Sequence, residues 1–402
     1  MIKYLGSKRR LIPVLSQICA ASGARTAVDL FTGTTRVAQA FKAQGLAVTA
    51  LDSARYAHVF AQTYIATDAA TADVGALTAA VAHLNGLPGR PGYVHDTFCS
   101  EARFFQPFNG ARIDAVRDAI ESEYAGSPLY PLLLTSLIEA ADRVDSTTGV
   151  QMAYVKHWAP RSARPLTLRV PELLPGGGRA VLGDALELTP TLGPFDLAYV
   201  DPPYNQHRYF TNYHVWETLV AWDAPEAYGV ARKRIDSRDP STRSAFNSKR
   251  TMPDALRRVV RDLDCRLLVL SYNDEAWLNA EELEAVCREG GGSGGRDGGG
   301  RSGGGRSGVG GAGGAGEREV VTLSFDSARY VGAQIGIHNP AGDKVGQVSH
   351  LSNHELLVIA GEGALVRHVV DQVRGAETEP ATGGSTRSSA GAASGLMADR
   401  LQ

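Results

Sequence analysis

Cysteine is scarce: Cys19, Cys99, Cys265 and Cys287 are the only four among 402 residues, and they lie far apart with no paired spacing. That excludes a disulfide framework and a cysteine-built zinc site and leaves four ordinary thiols. Long apolar runs are also missing, since nothing approaches the roughly 18 residues of a membrane-spanning helix. Met1-Ile2-Lys3-Tyr4 leads straight into a basic segment without the apolar core of a signal peptide, so the expectation is a cytoplasmic protein with no membrane association. Net charge is almost absent at -2, which as a total argues against a polyanionic partner. What is present is 43% hydrophobic residues, enough for one large core or two modest ones.

The distribution of charge says more than its total. Between Arg232 and Arg266 stand eleven basic residues against five acids, and Val155 to Arg169 carries Lys156, Arg161, Arg164 and Arg169 with no acid. Such patches can follow a phosphate backbone while the rest of the surface stays acidic; a solvated face is the equal alternative.

Residues 26 to 52 read as a βαβ unit: an apolar strand, a Gly-containing turn, a helix stopped at Gly45, and a second strand ending in Asp52. That is the opening of a Rossmann-type sheet, and the fold class expected is α/β. From about Tyr56 to Pro175 the period turns helical. Ile113, Val116, Ile120 and Tyr124 form one stripe, and residues 131 to 144 form a second, more deeply buried helix with proline in its first turn. The α/β pattern resumes in "RAVLGDALEL", "FDLAYVDPPY" and "CRLLVLSYND", each an apolar strand ending in a polar cluster. Asp29, Asp52, Asp184, Asp201 and Asn273 could therefore face one crevice at the carboxyl edge of a parallel sheet, although any one of them could be a helix cap. The expected division is 1–55 with 176–372 as a catalytic domain, 56–175 as an inserted helical lobe, a flexible Gly-rich insertion at 290–316 and a disordered tail at 375–402.

The most informative stretch is Asp201-Pro202-Pro203-Tyr204. Two prolines cannot continue a sheet, so the chain must leave it at Asp201. The aspartate and a carbonyl fixed by the following proline offer two acceptors side by side, a match for the two N–H donors of an exocyclic amine. Tyr204 adds a flat surface on which a π-face can stack. Accepting hydrogen bonds from an aromatic amine localises its lone pair, and with a sulfonium methyl donor alongside, direct methyl transfer follows with no covalent enzyme intermediate.

In this order the segments resemble the Dam-like, alpha-class N6-adenine DNA methyltransferases, from residue 3 to about residue 360. The resemblance implies a Rossmann-like methyltransferase sheet with an inserted helical target-recognition lobe, S-adenosylmethionine as cofactor, and transfer to N6 of a flipped-out adenine in duplex DNA. "KYLGSKRRLIPVL" is similar to the family's opening cofactor motif and puts Tyr4 and Lys8 in cofactor contact. "DLFTGTTRVAQAF" resembles the cofactor loop, carrying Asp29, Phe31 and Gly33. "ALD" places Asp52 where the family's acid binds ribose hydroxyls, and "GDAL" puts Asp184 near the cofactor's adenine. Asp201, Pro202, Pro203 and Tyr204 become the catalytic turn, with Asp201 also beside the cofactor. Where the family pattern has its second glycine, this sequence has Thr35, which can make the turn if its φ is not positive.

The resemblance gives the lobe target recognition, with Lys156, His157, Arg161 and Arg164 as phosphate or base-edge contacts; Arg161 and Arg164 read equally well as surface residues. Asn212, Tyr213 and His214 line a flipped-base pocket or cap the next helix, and Trp158 and Trp216 are more often core. The setting is a restriction-modification system, with room for a cognate endonuclease, or an orphan methylase, acting as a monomer. Alternatives are an RNA adenine methyltransferase and a catalytically impaired, sequence-specific DNA-binding protein. Cytosine N4 methylation is disfavoured, because that class usually carries serine in place of Asp201.

Overall fold

A computed structural model describes residues 2–6, 8–152, 157–206, 208–290, 318–328 and 352–378. Lys156, nearly all of the Gly-rich stretch and the tail from 379 onward lie outside the described residues. Seven strands form one sheet: β1 (Thr26–Leu30), β2 (Ala47–Asp52), β3 (Arg179–Leu182), β4 (Phe195–Val200), β5 (Cys265–Asn273), β6 (Glu319–Ala328) and β7 (Ser352–Gly361). Their order is β3-β2-β1-β4-β5-β7-β6. The first five are parallel, and β7 is inserted antiparallel between β5 and β6. Strand order reverses between β1 and β4, the place where an open α/β sheet leaves a crevice outside its carboxyl edge.

Apolar side chains alternate between the two faces because the pleat has a period of two. Ala27, Val48, Leu197 and Leu267 point into one core, while Val28, Leu51, Ala198, Val200 and Leu268 point into the other. The first core is closed by α1 (Ile12–Ser22), α2 (Arg36–Ala43), α3 (Arg55–Ala61), α4 (Val74–Gly86), α5 (Pro107–Tyr124) and α6 (Tyr130–Val144), with α7 (His214–Ala221) and α10 (Gly363–Thr378). The second is closed by α8 (Met252–Asp262) and α9 (Ala280–Glu289). Proline opens α1, α5, α6 and α8, where a missing amide costs nothing.

The helical segment is the crossover from β2 to β3. Helix α3 and the π-helical turn that continues it, Gln62–Ala66, pack on those two strands. Buried Lys42 of α2 closes that turn by donating to the carbonyls of Tyr64, Ile65 and Thr67 at 3.1, 2.9 and 2.6 Å. Ile113, Val116 and Ile120 are buried as their spacing requires, and they join the sheet's own residues in one continuous core. The four cysteines are free thiols. Among the described residues no helix is long and apolar enough to cross a membrane, and no group of His, Cys, Asp and Glu side chains has a metal-binding arrangement.

Candidate active site

The loop after β1 makes an unusual turn: Phe31, Gly33 and Thr35 all have positive φ, at 64°, 51° and 62°. Thr35 therefore occupies the left-handed region that its side chain disfavours, contrary to the condition under which threonine was expected to replace glycine. Hydrogen bonds hold it there: its amide donates to the Thr32 carbonyl at 2.7 Å, its hydroxyl to the Thr34 carbonyl at 2.6 Å, and Gln39 Nε2 donates to that hydroxyl at 2.8 Å. Asp29 closes the loop from below, accepting from Thr32 Oγ1 at 2.8 Å and the Ala38 amide at 3.1 Å. Burial pushes its carboxyl up to about 7, with Asp201 adding to the effect. Asp52, at the end of β2, accepts from the Gly33 amide at 2.8 Å and the Ala54 amide at 2.9 Å. Burial raises its carboxyl as well. Asp184 lies one residue past Gly183, whose amide is bonded to the Asp52 carbonyl, and caps a short helical turn by accepting from the Leu186 amide at 2.8 Å.

The amino-terminal segment crosses over this loop. Tyr4 stacks on Tyr213 with centroids 4.9 Å apart and on Tyr209 at 5.4 Å. A Cβ on Gly33 would stand 2.9 Å from Tyr4 Oη, so glycine is what allows the ring to approach the loop. Lys8, only 6% exposed, lies 3.1 Å from Asp201 Oδ1 and 3.0 Å from Glu355 Oε2, with its ammonium 5.6 Å from the centre of the Tyr204 ring. Burial pushes the Asp201 carboxyl up to about 6; Lys8 pulls it down and the Glu355 charge pushes it up. Asp201 Oδ1 is buried and has no hydrogen-bond partner beyond that ion pair. Pro202 is buried beside it, Pro203 is half-buried, and Tyr204 packs edge-on against Tyr272 at 5.5 Å. Asn273, at the end of β5, donates to the Glu355 carboxylate at 3.5 Å across the β5–β7 pairing.

Tyr4, Lys8, Asp29, Phe31, Gly33, Asp52, Asp184 and the Asp201–Tyr204 turn thus gather at the carboxyl edge around the switch point. Other expected residues lie elsewhere. Tyr213 is fully buried behind Tyr4, its hydroxyl accepting from the Leu5 amide at 2.7 Å, and Asn212 is buried with its carbonyl on the Gln151 amide at 2.8 Å. His214 is buried too, its Nε2 2.9 Å from the Gln151 carbonyl, and burial pushes its imidazole down to about 4. Trp216 is core. Arg161 is engaged by Asp145 at 2.7 Å and by the Thr147 carbonyl, whereas His157 and Arg164 are exposed. Trp158 lies under the Arg103 guanidinium.

Sequence reasoning missed Glu355. It stands on β7, and only the antiparallel register that sets Glu355 opposite Asn273 brings its carboxylate to Lys8.

A family profile described as D12 class N6 adenine-specific DNA methyltransferase matches residues 4–286. Type II methyltransferase M.NlaIII of Neisseria lactamica is 30% identical over 300 residues, covering 71% of this chain and 87% of that protein. Modification methylase StsI of Streptococcus sanguinis is 28% identical over 306 residues, 72% of this chain but 46% of that longer protein. Type II methyltransferase M.CviAII of Paramecium bursaria Chlorella virus 1 is 28% identical over 215 residues, 50% of this chain and 61% of that protein. A match running from the stacked Tyr4 through the Asp201–Tyr204 turn to α9 takes in more than half of the sequence, and the chain belongs to the D12 class N6 adenine-specific DNA methyltransferases.

Proposed function

We propose that this enzyme transfers a methyl group from S-adenosylmethionine to N6 of an adenine turned out of duplex DNA. The observation that carries the reading is the Asp201 carboxylate at the switch point, whose buried Oδ1 has the Lys8 ammonium as its ion-pair partner and no other donor. A carboxylate held by a single cation keeps acceptor sites to spare, and at a crevice those are where a substrate N–H belongs.

The residues present fit the cofactor. The loop turns through positive φ at Phe31, Gly33 and Thr35, and at Gly33 it brings no side chain. Asp52 spends one acceptor site of each oxygen on an amide, and a carboxylate has further sites for ribose hydroxyls. In this reading Tyr4, Lys8, Asp29, Phe31, Gly33, Asp52 and Asp184 hold the cofactor, with Asp201 at the border between the two ligands. Bound there, S-adenosylmethionine supplies an electrophilic methyl on a sulfonium.

The rest of the reaction belongs to the turn. Asp201 and the Pro202 carbonyl accept the two N–H groups of the adenine amine, drawing its nitrogen out of conjugation, and Tyr204 stacks on the base. With the amine so held, the N6 lone pair would take the methyl as its bond to sulfur breaks, and the proton lost from N6 would pass by way of the accepting Asp201 carboxylate to water. Exposed His157 and Arg164 suit duplex contacts from the lobe, while buried Tyr213 and Asn212 support the pocket from behind. The type II and modification-methylase names of the relatives favour a modification enzyme that protects DNA from a cognate endonuclease, and we read it as a cytoplasmic monomer.

The test is incubation of purified protein with tritiated S-adenosylmethionine and unmethylated genomic DNA, followed by nucleoside analysis. Label in N6-methyladenine that vanishes in Asp201→Ala is the expected result. Label in another base, or no label despite cofactor binding, would overturn the reading.

A further inference from the structure

The segment between α7 and α8 is a strap that joins the helical lobe to the catalytic turn. On the lobe side, Tyr93 Oη donates to the Pro225 carbonyl at 2.6 Å, Trp222 Nε1 to Asp118 at 3.0 Å, and Arg232 pairs with Glu101 at 2.5 Å. On the crevice side, Phe246 meets the Phe31 ring edge-on at 4.9 Å and Asn247 Nδ2 donates to the Asn205 carbonyl at 3.0 Å. Arg208, four residues past Tyr204, donates to the Ser237 carbonyl at 2.7 Å and to Thr242 Oγ1 at 3.0 Å. The strap is thus fastened to the lobe, the cofactor loop and the catalytic loop at once.

Its charges sort into two kinds. Arg234, 3% exposed, is consumed inside, bound to Asp223 and Asp236 at 2.7 Å each, and Arg232 is tied to Glu101. Arg238, Arg243, Lys249 and Arg250 are exposed and have no carboxylate partner among the described residues. Arg238 lies over Tyr228 at 4.0 Å, with Lys233 at 5.4 Å from the same ring. Glu226 and Asp239 are the exposed acids of the strap with no ion pair among the described residues. By contrast Arg257, Arg258 and Arg261 on α8 each have an acid within reach, in Asp254, Glu289 or Asp262. Exposed cations left without acids on a rigid element beside a catalytic turn are arranged for an external polyanion.

We infer that the strap is a DNA-backbone clamp, with Arg238, Arg243, Lys249 and Arg250 taking phosphates of the duplex next to the flipped adenine. The inference rests on the DNA methyltransferase reading above and assigns it a surface outside the helical lobe. Phosphate contacts set register and affinity without reading sequence, so the clamp holds the duplex while recognition is made elsewhere.

The test is anisotropy of a fluorescein-labelled genomic duplex fragment titrated with protein across a range of salt concentrations. Each phosphate contact adds about 0.9 to the slope of log K against log salt. Replacing all four residues by alanine is expected to lower the slope by about 3.6, and Lys249→Ala with Arg250→Ala alone by about 1.8. Arg257→Ala with Arg258→Ala should leave it unchanged, and cofactor affinity reports that each variant is folded. A wild-type slope in the strap variants, with the wild-type protein methylating the duplex, overturns the clamp alone. A wild-type protein that neither binds nor methylates the duplex overturns the clamp together with the function on which it rests.

Discussion

Two lysines five residues apart in the amino-terminal segment each bridge a pair of carboxylates, and the two clusters differ in what they leave unsatisfied. Lys3 lies 2.9 Å from Asp142 and 3.3 Å from Asp145, and Arg161 joins from the other side at 2.7 Å. Two cations meet two acids, and Thr147 Oγ1 fills the second Asp145 oxygen at 2.6 Å. Lys8 meets Asp201 and Glu355 alone, one cation for two acids, and Asp201 Oδ1 has no donor besides that ammonium. A neutral, fully partnered cluster is a fastener. The same inventory short of one donor, placed at a switch point, is a receptor for a donor brought by the substrate.

The largest effect that tests this contrast is at Asp201. Asp201→Ala should lower kcat by about 10²–10⁴-fold, the range for a positioned group acting in the transition state. A variant keeping more than a tenth of wild-type turnover would put Asp201 on the fastener side. Next is the other cluster. Arg161→Ala should cost about 2 kcal/mol of unfolding free energy in denaturant, less than a wholly buried pair because Arg161 is partly exposed. Unchanged stability with a shallower salt slope of DNA binding would return Arg161 to the phosphate contacts that its sequence context suggested.

A smaller effect concerns pH. The Asp201 carboxyl is raised to about 6, so the accepting carboxylate is lost as pH falls through that value. In the free enzyme kcat/KM should decline about tenfold per pH unit below that limb. The Glu355 charge helps hold the limb up, so Glu355→Gln should move it to lower pH. An unmoved limb in a pH–rate profile would mean that Glu355 does no more than anchor Lys8. The smallest effect is at Thr35. Thr35→Gly trades relief at φ 62° against the hydrogen bonds of the hydroxyl, and its thermal unfolding should stay within about 1 kcal/mol of wild type. A loss beyond twice that would show that the hydroxyl, not the backbone, shapes the loop.

The parts legible in sequence were those written in local periods. The β1-α2-β2 unit, the stripe of Ile113, Val116 and Ile120, and a turn of two prolines at a strand end are specified within a few residues of themselves. What stayed hidden depends on partners far along the chain. Arg161 carries no sign that Asp145 consumes it, and Glu355 reaches Lys8 only through a pairing of β5 with β7. The positive φ of Thr35 was hidden as well, because threonine signals no such backbone. Basic residues 232 to 266 read as one patch, and only the ion pairs divide them into fasteners and free cations.

The position of β7 has a consequence for how the enzyme is made. Lys8 leaves the ribosome long before Glu355, which follows 347 residues later on β7, with α1 packed on α10 just beyond it. Through all of translation up to β7, the catalytic turn is already out but Lys8 has only Asp201 to bind, and the sheet ends at an unpaired β5 edge. Completion of the crevice therefore waits for β7, and a nascent chain carries its Asp201–Tyr204 turn before its active site is finished.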